Sequence, residues 1–210
     1  MSAQLWLPFE LTWAASIAGQ VTDGVTGAAI SGARVQIVKG PKTFDAKRRI
    51  LANDPGWERK KERLDQTFSQ ADGIYVLTNL PSGLYRLQVT APAPSSRYAT
   101  AETPFIRVWA TRDPEGRIKL DPADLALSPT RIHGRVTRAD TGQPVEGARV
   151  RLRGDINVVR TNAEGGYALA NLVASNPTLE VVAANLVTAS QALSLEAGQD
   201  LEVNVVLQPA

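Results

Sequence analysis

The sequence of 210 residues contains no cysteine and a single histidine, His133. Without cysteine the chain can form no disulfide and offers no thiolate to a metal. A zinc peptidase site needs more than one histidine, and a Ser-His-Asp triad here would have to use His133. Because His133 falls at an outward-facing strand position, a surface residue is favoured over a catalytic base or ligand. The sequence therefore predicts no catalytic residue, no cofactor site and no metal site.

Long apolar runs and an excess of one charge are also missing. No window approaches the ~18 consecutive apolar residues of a membrane span. The formal net charge is only +2, with 21% charged and 6% aromatic residues. The apolar opening segment, Leu5 to Ile17, has no basic region before it and is interrupted by Pro8 and Glu10, unlike a secretion signal. We expect a protein of the cytoplasm, or of a particle assembled there.

An internal repeat dominates the rest of the sequence. The run from Ile17 to Ile37 returns without gaps as Ile132 to Leu152, at an offset of 115 residues. A second block, Ser69 to Leu80, returns as Thr161 to Leu172 at an offset of 92, so the first copy carries 115 − 92 = 23 extra residues. Apolar and polar residues alternate in these blocks, as in half-buried strands, and glycine-containing turns separate the runs. The repeat predicts two similar β-domains.

The two copies account for nearly the whole chain. Seven or so short strands are expected in each copy, separated by frequent turns, which is typical of a β-sandwich. A proline, Pro129, follows the last strand of the first copy, and Ile132 begins the second. We predict an all-β fold in which residues 1–129 form an N-terminal arm and the first sandwich, and residues 130–210 form the second.

The repeated motifs carry a family resemblance. Both copies contain Gly-x-Val-Thr, then Thr-Gly, then Gly-Ala-x-Val, then Asp or Glu followed by Gly-x-Tyr-x-Leu-x-Asn-Leu. This pattern resembles the carboxypeptidase regulatory-like domain. The resemblance implies two tandem, seven-stranded, Greek-key β-sandwiches of the transthyretin type. It leaves function open, because modules of this fold resemble accessory folding, adhesion or carbohydrate-contacting units.

An insertion from Lys39 to Thr67 distinguishes the first copy. It contains nine basic and five acidic residues, and it also contains Trp57. Trp and Arg are enriched at interface hot spots, which favours a protruding element that contacts a partner. The alternative is that Trp57, Phe44 and Leu64 pack the insertion onto its own sandwich while the charges face water. The candidate contact residues of the insertion are Lys47, Arg48, Arg49, Trp57, Arg59, Lys60, Lys61 and Arg63.

A short helix is expected inside this insertion. Thr43 and Asp45 are predicted to cap a helix that runs toward Asn53, and Asp54-Pro55-Gly56 would end it. The apolar residues available to anchor it are Phe44, Ile50 and Leu51.

The aromatic arm before the first strand forms a second candidate contact region, comprising Trp6, Phe9 and Trp13. Apolar residues alternate from Leu5 to Trp13, which predicts a strand. Such a strand either covers an edge of its own sandwich or pairs with another chain by strand addition.

The leading hypothesis is a non-catalytic structural or protein-interaction module of a bacterial assembly, with other protein subunits as partners. Resemblance suggests a phage-tail-like contractile particle as one such assembly. The alternative is a carbohydrate- or surface-binding module, which would need an exposed aromatic row from Tyr85, Tyr98 and Trp109. Nucleic acid is disfavoured because acids interleave the basic residues and no stacking platform accompanies them.

Calcium is a further alternative that the residues leave open. Asp113, Glu115, Asp121 and Asp124 have suitable oxygen ligands, but their spacing lacks the glycine-centred loop of an EF-hand.

Overall fold

The computed structural model describes residues 17–57, 63–108 and 122–210, and it divides the chain into two compact units. Unit 1 comprises Met1–Ala93 and Thr100–Leu127, and unit 2 comprises Pro94–Ala99 and Ser128–Ala210. Each unit contains two sheets. The predicted all-β fold of two sandwiches, with a short helix in the first, is confirmed. The domain boundary between residues 129 and 130 stays a prediction; Pro94–Ala99, Ser128 and Pro129 lie before it and group with unit 2.

Unit 1 is built from eight described strands and one helix. They are β1 (Ile17–Asp23), β2 (Arg34–Lys39), α1 (Lys42–Ala52), β3 (Gln66–Phe68), β4 (Ile74–Leu77), β5 (Gly83–Thr90), β6 (Ala101–Glu102), β7 (Ile106–Val108) and β8 (Leu125–Leu127). One sheet has the order β4-β1-β8, with β4 antiparallel and β8 parallel to β1. The other has the order β3-β2-β5-β6, and β7 also pairs with β5.

Unit 2 repeats this plan. Its strands are β9 (Arg131–Arg138), β10 (Arg149–Leu152), β11 (Val158–Arg160), β12 (Gly166–Leu169), β13 (Thr178–Val182), β14 (Ala189–Ala192), β15 (Asp200–Glu202) and β16 (Val205–Leu207). One sheet has the order β12-β9-β15, with β16 also parallel to β9. The other has the order β11-β10-β13-β14. A 3-10 turn at Ser95–Arg97 also belongs to unit 2.

The core of each unit follows from the alternation in its strands. In β2 the side chains of Val35 and Ile37 are fully buried, while those of their neighbours in the strand are not. In β10 the same pattern buries Val150 and leaves Arg149 and Arg151 outward. Successive strand residues point to opposite faces, so each sheet presents an apolar face to the interior.

A glycine and a tyrosine hold the last part of unit 1 against its first strand. Gly19 lies opposite Tyr75 in the β1–β4 pair, and a Cβ atom at Gly19 would overlap the carbonyl oxygen of Ala123. The buried Tyr75 hydroxyl donates a hydrogen bond of 2.5 Å to that same oxygen. Burial and, secondarily, the charge of Asp124 raise the pKa of Tyr75. Glycine is needed here because the backbone approaches too closely for any side chain.

Unit 2 has the same arrangement at the equivalent positions. Gly134 lies opposite Tyr167, and a Cβ atom there would overlap the carbonyl oxygen of Val203. The Tyr167 hydroxyl donates to that oxygen at 2.7 Å, and burial raises the pKa of Tyr167 to about 12. The glycine and tyrosine of the repeated sequence blocks therefore make the same packing contact in both units.

Candidate interaction site

Helix α1 forms at the predicted place but begins differently. It starts at Lys42, directly after Pro41, and no side chain caps its first turn. Thr43 and Asp45 lie inside that first turn, so their predicted capping role is wrong. Proline already has a φ compatible with helix initiation, and Asp45 instead adds a favourable charge near the positive end of the helix dipole. The helix ends at Ala52 with Asn53 as its C-cap, close to the predicted end.

Two residues of α1 attach it to the sheet beneath. Phe44 is buried, and its ring packs edge-on against Tyr85 with centroids 5.4 Å apart. Arg48 donates from Nη1 to the carbonyl oxygen of Ile37 at 2.7 Å and pairs with Asp45 at 3.2 Å. An aromatic contact and an arginine bridge therefore hold the helix on β2 and β5.

Other side chains of α1 face solvent. Lys47 and Arg49 are exposed, and Ile50 is 71% exposed. The expectation that Ile50 helps to anchor the helix is wrong, because Phe44 supplies the buried contact on the other side. We call Lys47, Arg49 and Ile50 the helix surface; it combines two cations with one large apolar side chain.

Trp57 and Arg63 require a correction, because they are interior residues and not exposed contact residues. Trp57 is only 4% exposed, and the guanidinium carbon of Arg63 lies 4.7 Å from the centre of its ring. Arg63 also donates two hydrogen bonds to the carboxylate of Asp65, at 2.8 and 2.9 Å. A buried arginine needs such a paired carboxylate, and the aromatic face adds a cation–π contact. Trp57 and Phe44 are therefore buried as the packing alternative has it, whereas the buried Arg63 departs from its expectation that the charges face water.

Several candidate contact residues lie outside the described residues. These are Arg59, Lys60 and Lys61 in the insertion and Trp6, Phe9 and Trp13 in the arm.

A groove of about 890 Å³ lies beside α1 in unit 1. It follows the open side of the sandwich, where β3 is the end strand of one sheet and β4 the end strand of the other. Phe68 lines it and is 45% exposed, and Lys47 of the helix surface also lines it. Other lining residues are Phe44, Leu77 and Leu80. The groove and the helix surface therefore meet at Lys47.

His133 takes part in an exposed ion-pair group on β9 and β15. Its Nδ1 lies 2.8 Å from Oδ1 of Asp200, whose Oδ2 accepts a hydrogen bond from Arg131 at 2.5 Å. Chiefly the Arg131 hydrogen bond, with a smaller contribution from His133, lowers the pKa of Asp200. The His133 side chain is 38% exposed. The arrangement is that of a surface salt bridge, and such pairs contribute little to stability.

Two other candidate groups do not assemble within the described residues. Tyr85 is fully buried, so it cannot join an exposed aromatic row with Tyr98; Trp109 lies outside the described residues.

The carboxylate of Asp124, one of the predicted calcium ligands, accepts a hydrogen bond from the backbone N–H of Gln20 at 2.8 Å. The remaining predicted calcium ligands, Asp113, Glu115 and Asp121, lie outside the described residues, and nowhere among the residues that the structure describes do three metal-ligating side chains form a group.

No helix within the described ranges has the length and apolar character needed to cross a bilayer.

Solved structures with similar folds include the shaft pilin SpaA from Lactobacillus rhamnosus GG, at 13% identity and a TM-score of 0.42, covering 94% of this chain and 98% of that one. The Bacillus anthracis TIE protein is 15% identical, with a TM-score of 0.42 over 94% of this chain and 34% of that chain. A chain of a type II cohesin–X-dockerin complex from Acetivibrio cellulolyticus is 21% identical, with a TM-score of 0.34 over 38% of this chain and 58% of that chain. The chain therefore spans about a third of the TIE protein and little over half of the cohesin–X-dockerin chain.

No curated protein matches the chain. The model of the carboxypeptidase regulatory-like domain, in contrast, matches twice, at residues 16–108 and 131–208. The two matches contain the glycine and the tyrosine of both copies of this contact, and they confirm the family predicted from the motifs. The chain belongs to the carboxypeptidase regulatory-like domain family, of which it carries two copies.

Proposed function

We propose that the protein is a non-catalytic structural or protein-interaction module whose unit 1 presents the helix surface to another protein subunit. The attachment of α1 through Phe44 and Arg48 carries this proposal. A helix held in place before binding loses little conformational entropy when a partner docks, so its exposed residues contribute more of their contact energy to affinity.

The chemistry of the helix surface suggests the chemistry of its partner. Ile50 offers a large apolar side chain, with Lys47 and Arg49 beside it. Protein interfaces combine an apolar centre with charged groups that orient the partner. The adjoining groove adds the ring of Phe68 as a second apolar contact. A partner with an apolar side chain flanked by carboxylates fits this surface.

The arm at residues 5–13 contributes a second contact in the same proposal, by strand addition to a neighbouring subunit. The phage-tail-like contractile particle, assembled in the cytoplasm, is one assembly in which such an adaptor would serve. Gene neighbourhood distinguishes that assembly from others.

Site-specific photo-crosslinking in the native host tests the proposal. The photoreactive residue p-benzoylphenylalanine replaces Ile50 in one variant and Val187, which is 52% exposed in unit 2, in the matched control. We expect adducts with one defined protein at Ile50, mapped to an acidic peptide of that protein, and no such adduct at Val187. Lys47→Glu combined with Arg49→Glu should abolish the adduct, because both cations would then repel the acidic partner.

Identical adducts at both positions would contradict the proposal, as would an Ile50 adduct that survives the double charge reversal. Circular dichroism of each variant shows that the fold is retained.

A further inference from the structure

The outer face of one sheet of unit 2 is strongly basic. Arg149 and Arg151 project outward from β10, Arg160 projects from the neighbouring β11, and Arg153 follows directly after β10. We call these four residues the arginine face. The carboxylate on this face is Glu180 of β13, so four positive charges meet one negative charge and leave an excess of three.

Two of these arginines stand directly opposite each other. Arg149 is the cross-strand partner of Arg160, and on its other side it pairs with Val182. Like charges at directly opposed positions of a sheet destabilise it. Arg160 donates a hydrogen bond of 3.1 Å to the carbonyl oxygen of Gly147, and within the described residues no carboxylate forms an ion pair with Arg149 or Arg160. Within the described residues, no ion pair therefore offsets the repulsion between Arg149 and Arg160.

Glu180 already pairs with the other two arginines, one at each of its carboxylate oxygens. Its Oε1 accepts a hydrogen bond of 2.7 Å from Arg153, and its Oε2 accepts one of 3.0 Å from Arg151. The nearby Asp155 accepts hydrogen bonds from the backbone and side-chain N–H groups of Asn157. Within the described residues, neither carboxylate forms an ion pair with Arg149 or Arg160.

We infer that the arginine face binds an extended acidic segment of a partner protein. Alternate residues of an extended chain are about 6.8 Å apart, so carboxylates at every second position of such a segment match the alternate arginines of β10. A cavity of about 230 Å³, lined by Arg149, Arg151 and Val182, offers room for one of these acidic side chains. Arginine suits this role because its guanidinium can bind a carboxylate through two hydrogen bonds.

The apolar residues on the same face favour a protein segment over a nucleic acid. Val158 and Val182 are 40% and 39% exposed and flank the arginines. They can contact aliphatic side chains of a peptide. Binding of single-stranded nucleic acid relies on aromatic side chains that stack on the bases, and the outward positions of β10, β11 and β13 in the described chain hold no aromatic residue. This surface lies on unit 2 and is independent of the helix surface proposed for unit 1.

Fluorescence anisotropy with the full chain tests the inference. The probe is a labelled octapeptide of alternating Glu and Val, compared with a peptide of the same composition in two blocks and with single-stranded oligothymidylate. The test variant combines Arg149→Glu with Arg160→Glu. The matched control, Arg97→Glu with Arg135→Glu, makes the same charge change in unit 2 away from the arginine face.

We expect the alternating peptide to bind wild type and control alike, and to bind the test variant at least about tenfold more weakly. The blocked peptide should bind wild type more weakly than the alternating one. Equal loss of binding in test and control variants would overturn the inference, because net charge alone would then explain it. Tighter binding of oligothymidylate than of the alternating peptide would also overturn it, as would absence of peptide binding to a folded wild type.

Discussion

Units 1 and 2 share their internal packing and differ at equivalent surface positions. In unit 1 the residue opposite Arg34 of β2 is Phe68, whereas in unit 2 the residue opposite the equivalent Arg149 is Arg160. The glycine–tyrosine contact, in contrast, is the same in both. The difference shows that an outward position can change its chemistry while the core contact is kept, because outward side chains of a strand do not enter the core.

The two units also differ in what they add to the sandwich. Unit 1 carries α1 and the buried Trp57–Arg63 contact in its insertion, and α1 bears the two exposed cations of the helix surface. Unit 2 places its arginines directly on a sheet. Unit 2 is therefore not a plain copy of the fold, since it carries a charged face that unit 1 lacks at the equivalent strands.

The largest effect is expected when the anchor of α1 is removed. Phe44→Ala should lower the free energy of unfolding of unit 1 by about 4 kcal/mol, since it empties a buried aromatic site. Unit 1 contains all four tryptophans of the chain: Trp6, Trp13, Trp57 and Trp109. Tryptophan fluorescence during urea unfolding therefore reports on unit 1. Ile50→Ala on the exposed side of the helix is the control and should cost under about 0.5 kcal/mol.

A loss of equal size in both variants would show that Phe44 does not anchor the helix.

The next effect tests whether the two glycines are equivalent. Gly19→Ala and Gly134→Ala should each cost about 3 kcal/mol, because the new methyl group overlaps a backbone carbonyl oxygen that cannot move without disturbing the sheet. The control is Gly142→Ala, where φ is +68° and nothing lies within 4 Å of the added atom. It should cost only about 1 kcal/mol of backbone strain. Hydrogen exchange of peptides from each unit shows which unit has lost stability. If Gly134→Ala lowers the free energy of unfolding no more than Gly142→Ala does, the shared contact is refuted.

A smaller effect concerns the tyrosine hydroxyls. Tyr167→Phe leaves the carbonyl of Val203 without its donor and should cost about 1.5 kcal/mol at neutral pH. The pKa of Tyr167 is about 12 in the folded protein, against ~10 in the unfolded chain. Its contribution to stability is therefore present below about pH 10 and is lost as the pH rises toward 12.

Urea unfolding followed by circular dichroism, at neutral pH and at about pH 11, measures this dependence. The destabilisation caused by Tyr167→Phe should shrink at the higher pH. An unchanged difference between variant and wild type would contradict the burial of the hydroxyl.

The smallest effect is a gain in stability. Arg149→Glu converts a like-charge pair with Arg160 into an opposite-charge pair and should stabilise unit 2 by about 0.5 kcal/mol. Arg34→Glu in unit 1 faces Phe68 and should give no such gain. Differential scanning calorimetry compares the two. A stabilisation of equal size in both variants would exclude the cross-strand pair as its cause.

The strands were predictable from sequence because their pattern is local. Alternation at Val35 and Ile37, with glycine turns between runs, marks a half-buried strand without any knowledge of the partner strand. The repeat then doubled the evidence for each strand.

The insertion was less predictable, because its burial depends on distant residues. Arg63 can be interior only because Asp65 and the Trp57 ring receive its guanidinium, and no periodicity reports such a contact. The arginine face shows the same limit. Alternation in β10 points Arg149 and Arg151 outward, but the opposition of Arg149 and Arg160 follows from strand register.

The grouping of Pro94–Ala99 with unit 2 also lay beyond the sequence. The backbone N–H of Thr130 donates to the carbonyl of Arg97 at 2.7 Å, and that of Ala99 donates to Ser128 at 2.9 Å. These hydrogen bonds join residues that are far apart in the sequence. The segment Pro94–Ala99 lies outside the repeated blocks, so the repeat gave no sign of them.

The parallel pairing of first and last strands has a mechanical consequence. In unit 1, β8 runs beside β1 in the same direction, from Val21 opposite Leu125 to Asp23 opposite Leu127. In unit 2, β15 and β16 together follow β9 from Arg131 to Arg138. Tension between the start of the first strand and the end of the last one pulls such a pair in shear. The hydrogen bonds between the strands are then loaded together and not one after another, which opposes their separation more than loading them in sequence would.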